Sequence, residues 1–209
     1  MARGVRAGGY AVRQIQVWRM TMTSRLSVRP FAELTPEQQA QHERIARFRK
    51  AGPDGQIGGP YDPWIRSPEL AQKAVSFGNF IWEWTLLGRR IVELAIIVTA
   101  RHWESNVEWS SHARMAKENG VSDAVIADVF ALRRPAAAPA DELVTIDVCR
   151  ALHGTHQLPP NLYERAVETF GEQGLVELMA TIGFYTFVSM TLNAFDIPVG
   201  AGLETPFPR

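Results

Sequence analysis

The residues best equipped for chemistry are Glu93, Glu108 and His112, with Ser105 close by. Glu108 and His112 are four apart, so on a helix they share a face, one turn apart. Ser105, three before Glu108, falls on the same side. A carboxylate beside an imidazole can share a proton, each group supporting the other's working ionisation state. At this spacing the pair can equally be a solvated surface pair, contributing roughly 0.2–0.5 kcal/mol. Glu93 is different in kind. Eight of the ten residues from Ile91 to Ala100 are apolar, and a carboxylate in such a run is costly unless paired, hydrogen-bonded or protonated. Burial would raise its pKa, and an arginine or histidine neighbour would lower it. Either makes it a site candidate, while an ion-pair anchor between helices explains it too. Glu108 and His112 with Glu93 or His102 also offer metal ligands. No His-Glu-x-x-His arrangement accompanies them, and three ligands cannot be placed. The site is therefore expected to hold no metal.

These residues need helices to position them, and the chain is rich in helix signals. Thr35-Pro36-Glu37-Gln38 supplies an N-cap, a proline at the first helical position and a capping-box glutamine. That helix is expected to stop near Ala51-Gly52-Pro53. Residues 53–66 read as an irregular loop lying over something, because Ile57, Tyr61 and Trp64 are costly to leave in water. Ser67-Pro68-Glu69 opens a helix to about Trp84, and further helices are expected over roughly 89–102, 104–119 and 122–130. A linker-like Arg134–Ala140 follows, then helices over roughly 141–154, 161–170 and 173–194, with a stop near Gly171. No strand pattern appears, so the fold class is all-α with about eight helices. The expected organisation is an arm over 1–30, one helical domain over 31–200, and an extended or frayed tail over 201–209.

Bulk properties narrow the function. Lysine plus arginine and aspartate plus glutamate balance at 22 each, which leaves no footprint for nucleic acid or an acidic membrane surface. No run of eighteen apolar residues marks a transmembrane helix, and the expected location is the cytoplasm. Residues 1–30 carry Arg3, Arg6, Arg13, Arg19, Arg25 and Arg29 before the first acid, Glu33. That composition resembles a transit peptide, but a flexible arm or an over-long start, with Met20 or Met22 as initiator, accounts for it more simply. The single cysteine, Cys149, sits in a helical run without an activating neighbour and reads as a small buried hydrophobe. Trp82, Trp84, Phe184, Phe187 and Met190 exceed what one small core readily hides, and point to an oligomer.

The spacing around residues 93–112 resembles the site of the carboxymuconolactone decarboxylase and alkylhydroperoxidase D superfamily. There a glutamate is followed twelve residues later by Cys-x-x-Cys and four further on by a histidine. Glu93 and His112 stand at the outer positions, with Ser105 and Glu108 where the thiols would be. Glu108-Trp109-Ser110-Ser111-His112 reproduces the Glu-Trp-x-x-His common in the decarboxylase-like branch. Gly59–Pro63 with Ser67–Ala71, Asn119–Ser122 and Leu175–Pro198 resemble its first core helix, next helix turn and closing helix.

The resemblance implies an alkylhydroperoxidase D-like helical protomer, assembled as a trimer or hexamer, with a small-molecule substrate and no cofactor. It places Glu108 and His112 as proton donors, Glu93 behind His112, and Trp109, Ser105 and Tyr185 against the substrate. The implied reaction is decarboxylation, or a related lyase or isomerase step, on a small cyclic carbonyl or lactone acid. The alternative is a binding or structural oligomer that kept the fold and lost the chemistry. Thiol peroxidase chemistry requires an attacking thiolate and a resolving thiol, and Ser105 and Glu108 supply neither.

Overall fold

The computed structural model describes residues 24–52 and 55–208. Most of the arginine-rich arm, including Arg3, Arg6, Arg13, Arg19, Met20 and Met22, lies outside the described residues, as does Pro53. The described residues form eight α-helices and no strand: α1 (Pro36–Ala46), α2 (Tyr61–Ile65), α3 (Pro68–Glu83), α4 (Arg89–His102), α5 (Asn106–Glu118), α6 (Asp123–Phe130), α7 (Ala140–Gly154) and α8 (Pro160–Ala194).

Helix α4 is the axis of the fold. Every residue from Ile91 to Ala100 is buried, including Glu93 and Thr99. Helices α5, α7 and α8 pack around it, and their apolar faces supply Val144, Ile146, Val148, Leu178, Ile182 and Leu192 to one continuous core. The turn from α4 to α5 is tight. Glu104 adopts φ 48°, and Ser105 N–H donates to Ala100 O at 2.9 Å, which brings α5 back against α4. The turn before α4 is held by Glu177 of α8, which accepts from Thr85 Oγ1 at 2.7 Å and Leu86 N–H at 2.6 Å.

The capping box at Thr35 and Gln38 forms in full, with Thr35 N–H donating to Gln38 Oε1 at 3.1 Å and Gln38 N–H to Thr35 Oγ1 at 3.4 Å. Helix α1 ends at Ala46, earlier than the Gly52-Pro53 stop suggests. Of the segment expected as a loop, residues 55–66 are described, and they end in the short helix α2. Asp62 closes the preceding turn by accepting from Ile57 N–H at 3.1 Å and Gly58 N–H at 2.7 Å. Gly58 and Gly59 follow at φ 77° and 59°, a consecutive left-handed pair that glycine tolerates and other residues resist. The thing this segment covers is the body of the fold. Trp64 stacks on Phe187 at 5.2 Å, interplanar 4°, and its indole N–H donates to Thr191 Oγ1 at 3.2 Å. Ile45, Ile57, Ile65 and Val75 form a satellite core between α1, α2 and α3.

Helix α8 joins the two helices expected over 161–170 and 173–194 across Gly171, whose φ 70° and ψ 169° break the helix. It is long and apolar enough to cross a membrane by composition, but 61% of its most apolar window is buried inside the protein. The tail is extended but not frayed. Phe207 is buried, exchanges two hydrogen bonds with the Asn106 side chain at 2.9 and 3.0 Å, and packs on Trp109 and Phe130. Among the five large apolar residues expected at an interface, Phe184 is buried and Phe187 is half-buried against Trp64, because α2 covers them. Trp82, Trp84 and Met190 are exposed.

Candidate active site

The helical hairpin α4–α5 brings Glu93, Glu108 and His112 together. His112 is buried between the two carboxylates. Its Nδ1 lies 2.6 Å from Glu93 Oε2, and its Nε2 lies 3.2 Å from Glu108 Oε2. The first contact is a hydrogen bond. The second is a charge contact without hydrogen-bond alignment, so Glu108 Oε2 is buried with no hydrogen-bond partner. Glu93 is fully buried, and its other oxygen accepts from Arg89 Nη2 at 2.5 Å, one helical turn earlier. Two cations on one carboxylate explain how Glu93 persists in an apolar run.

The ionisation of His112 follows from this geometry. Burial alone pulls an imidazole down, but Glu108 and Glu93 outweigh it and raise His112 to about 9. The ring is therefore a cation at neutral pH, held through Nδ1 and presenting Nε2–H.

A cavity of about 450 Å³ opens against this edge of the ring, lined by both Glu108 and His112. Tyr185 of α8 also lines it, with its ring centroid 5.3 Å from that of His112. Trp82 Nε1–H donates to the Tyr185 oxygen at 3.0 Å, and the Arg89 guanidinium sits 3.1 Å from the centroid of the Trp82 ring. Burial, then Glu108 and Glu93, hold the Tyr185 phenol well above its ordinary value. It keeps its proton and, with its oxygen already accepting from Trp82, has that proton to donate.

Two residues expected against the substrate lie elsewhere. Trp109 is buried, with its ring 5.2 Å from Phe130 and 5.8 Å from Phe207. It is absent from the cavity wall, because its position on α5 faces α6 and the docked tail. Ser105 is fully buried at the start of α5 and does not reach the cavity either. His102, weighed as a further metal ligand, stacks on His153 at 4.3 Å and lines a different pocket. Cys149 is fully buried on α7, and burial pushes its thiol well up.

Several wall residues carried no signal strong enough to find them in the sequence. Arg89 was detectable as the i−4 partner of Glu93. Trp82, Tyr61, Asn79 and Arg49 reach the cavity only through the packing of α1, α2 and α3.

Residues 68–155, spanning α3 to α7, match the carboxymuconolactone decarboxylase family. Solved structures carry the same fold. A peroxidase-related protein from Silicibacter sp. TM1040 superposes with a TM-score of 0.69 at 13% identity, covering 85% of this chain and 92% of that one. An alkylhydroperoxidase AhpD core protein from Ralstonia eutropha JMP134 gives 0.67 at 13% identity, covering 85% and 93%. The debrominase Bmp8, solved with a tribromopyrrole, gives 0.62 at 12% identity, covering 79% and 87%. No curated protein matches the chain in sequence. Residues 68–155 thus carry a match to the carboxymuconolactone decarboxylase family, on a helical fold shared with alkylhydroperoxidase D-like structures.

Proposed function

We propose that this protein is a cofactor-free acid–base enzyme acting on a small cyclic carbonyl or lactone acid, by decarboxylation or a related lyase or isomerase step. The observation that carries this reading is His112, clamped between two carboxylates with one ring edge at a cavity of substrate size. The roles follow from the ionisation. His112, charged at neutral pH, is the acid, and Glu108 beside it is the base. Glu93 is a positioning residue that fixes the ring through Nδ1, with Arg89 behind it.

In a decarboxylation the bond to the carboxylate carbon breaks, carbon dioxide leaves, and the electron pair is held as an enolate. His112 Nε2–H then protonates carbon, and the ring regains its proton from solvent. The Tyr185 hydroxyl supplies a hydrogen bond to the enolate oxygen, where charge develops. In an isomerisation, Glu108 would remove the proton that His112 returns.

The exposed Trp82, Trp84, Leu86, Val176 and Met179 support assembly into a homo-oligomer. Thiol peroxidase chemistry forms no part of this reading, because Ser105 and Glu108 stand where it would need thiols.

The test is turnover of small γ-lactone acids and cyclic β-keto acids, followed by carbon dioxide release and by proton exchange at carbon. Glu108→Gln and His112→Gln are expected to lose about 100- to 10,000-fold in turnover with the helical fold intact. For the wild type, the rate is expected to fall as pH rises through about 9, where His112 gives up its proton. Near-wild-type turnover in both variants would make the constellation structural. Ligand binding without any turnover would make the protein a binding module.

A further inference from the structure

The cavity carries a second cationic group besides His112. Arg49, just after α1, lines the cavity together with Pro60 and Tyr61, outside the residues matched to the family. It is the only arginine or lysine among the described wall residues. Its guanidinium is seated rather than free. The carbon of the guanidinium lies 5.3 Å from the Tyr61 ring centroid, and Nη2 would stand 3.5 Å from a side chain built on Gly59. No salt bridge to Arg49 is formed by any described acid, including Glu83, which shares the wall.

Arg49 is exposed, as is Glu83, whereas Glu108 and His112 are buried, so the cavity has an outer end carrying Arg49 and an acid–base inner end. Tyr61 lies between them. Burial raises its phenol, Arg49 pulls it back, and Glu108 raises it again. At the inner end the charges of Glu93, Glu108, His112 and Arg89 cancel. Arg49 supplies a positive charge on a wall that also carries Glu83 and is apolar at Trp64, Val75, Phe184 and Val188. A planar guanidinium carries five donors and matches a carboxylate in two parallel hydrogen bonds. The same fork fits a phosphate as well, and titration with each separates the two.

Resting on the acid–base reading above, we infer that Arg49 is the residue that recognises a substrate carboxylate, binding at the outer end a ring acid whose reacting carbon lies against Glu108 and His112. The anchored carboxylate is then distinct from the group that reacts, and the substrate carries an acid function remote from the reacting carbon. The segment between α1 and α2 thus confers specificity on a site whose chemistry resides in α4 and α5.

The test is calorimetric titration of the full chain with γ-butyrolactone carboxylate and with benzoate. Each is paired with its uncharged carboxamide, and inorganic phosphate serves as a third probe. Wild-type protein is expected to bind the carboxylates in preference to the carboxamides. Arg49→Gln is expected to lose about 10- to 100-fold in carboxylate affinity and all of that preference, the consequence of removing a charge-assisted hydrogen-bonding group. Arg49→Lys should recover the charge preference in part. The inference is overturned if the wild type shows no preference, if Arg49→Gln keeps it, or if phosphate is the favoured probe. Arg49-dependent carboxylate binding combined with turnover indifferent to Glu108→Gln would instead sink the acid–base reading and leave the anchor standing.

Discussion

His112 and His153 are both imidazoles withdrawn from water, and the fold drives them in opposite directions. His153, on α7, stacks on His102 at the end of α4 and donates to or accepts from Thr99 Oγ1 at 3.2 Å. Burial, with His102 adding a like charge, lowers it to about 4. Burial also lowers His102, with His156 contributing. His112 is more deeply buried, yet it is raised to about 9 because Glu108 and Glu93 touch both nitrogens. Two ends of one helix, α4, therefore hold one imidazole neutral and another charged. Burial sets the default toward neutrality, and directly contacting carboxylates reverse it. The charged one opens on the large cavity, which is the physical reason to place the chemistry there.

The strongest way to break this contrast is Glu93→Gln. It removes the carboxylate from His112 Nδ1 and leaves the partly buried Arg89 without its ion pair. Breaking one partner out of a buried network should destabilise the fold by on the order of 3 kcal/mol in urea unfolding. A loss below about 1 kcal/mol would mean that the pair contributes as little as a surface bridge.

The pH dependence of stability sharpens the comparison at lower cost. His112 has a folded pKa above its unfolded value of about 6.5. Its contribution is full below that value and is lost as pH rises through about 9. His153 is the reverse: its folded pKa is depressed, so stability falls as pH drops from the unfolded value through about 4. Thermal unfolding across pH should show both limbs. His112→Gln is expected to remove the alkaline limb alone, and His153→Gln the acidic limb alone. In imidazole NMR spectra, Glu108→Gln should move the His112 titration down toward the ordinary histidine value. A His112 resonance that titrates near 6.5 in the wild type would remove the basis for calling it the acid.

Cys149 is the smallest test. It is fully buried, and burial pushes the thiol toward its neutral form. Cys149→Ala is expected to leave turnover unchanged and to cost on the order of 1 kcal/mol in stability. The native thiol should resist a disulfide reagent until the protein unfolds. Loss of activity in a folded Cys149→Ala variant would overturn the cysteine-independent account.

Local signals in the sequence determined the helical class, the hairpin and the pairing face. The Thr35 capping box, the Pro68 start, the Gly171 break and the apolar run of α4 act through backbone geometry and nearest turns, so composition and spacing reveal them. Glu108 and His112 were legible for the same reason, as an i, i+4 pair, and Glu93 because a charge in an apolar run demands partners. Which partners, and on which side, only tertiary packing decided. Trp109 and Ser105 sit in the same stretch but face the docked tail and the core, since adjacent helical positions diverge by about 100°. Tyr61, from the segment read as a loop over something, and Arg49, from the end of the helix expected before it, reach the cavity only because Trp64 stacks onto α8. The ionisation of His112 depends on contacts across the hairpin at 2.6 and 3.2 Å, and a charge interaction of that kind is set by distance and burial, which sequence spacing alone does not fix.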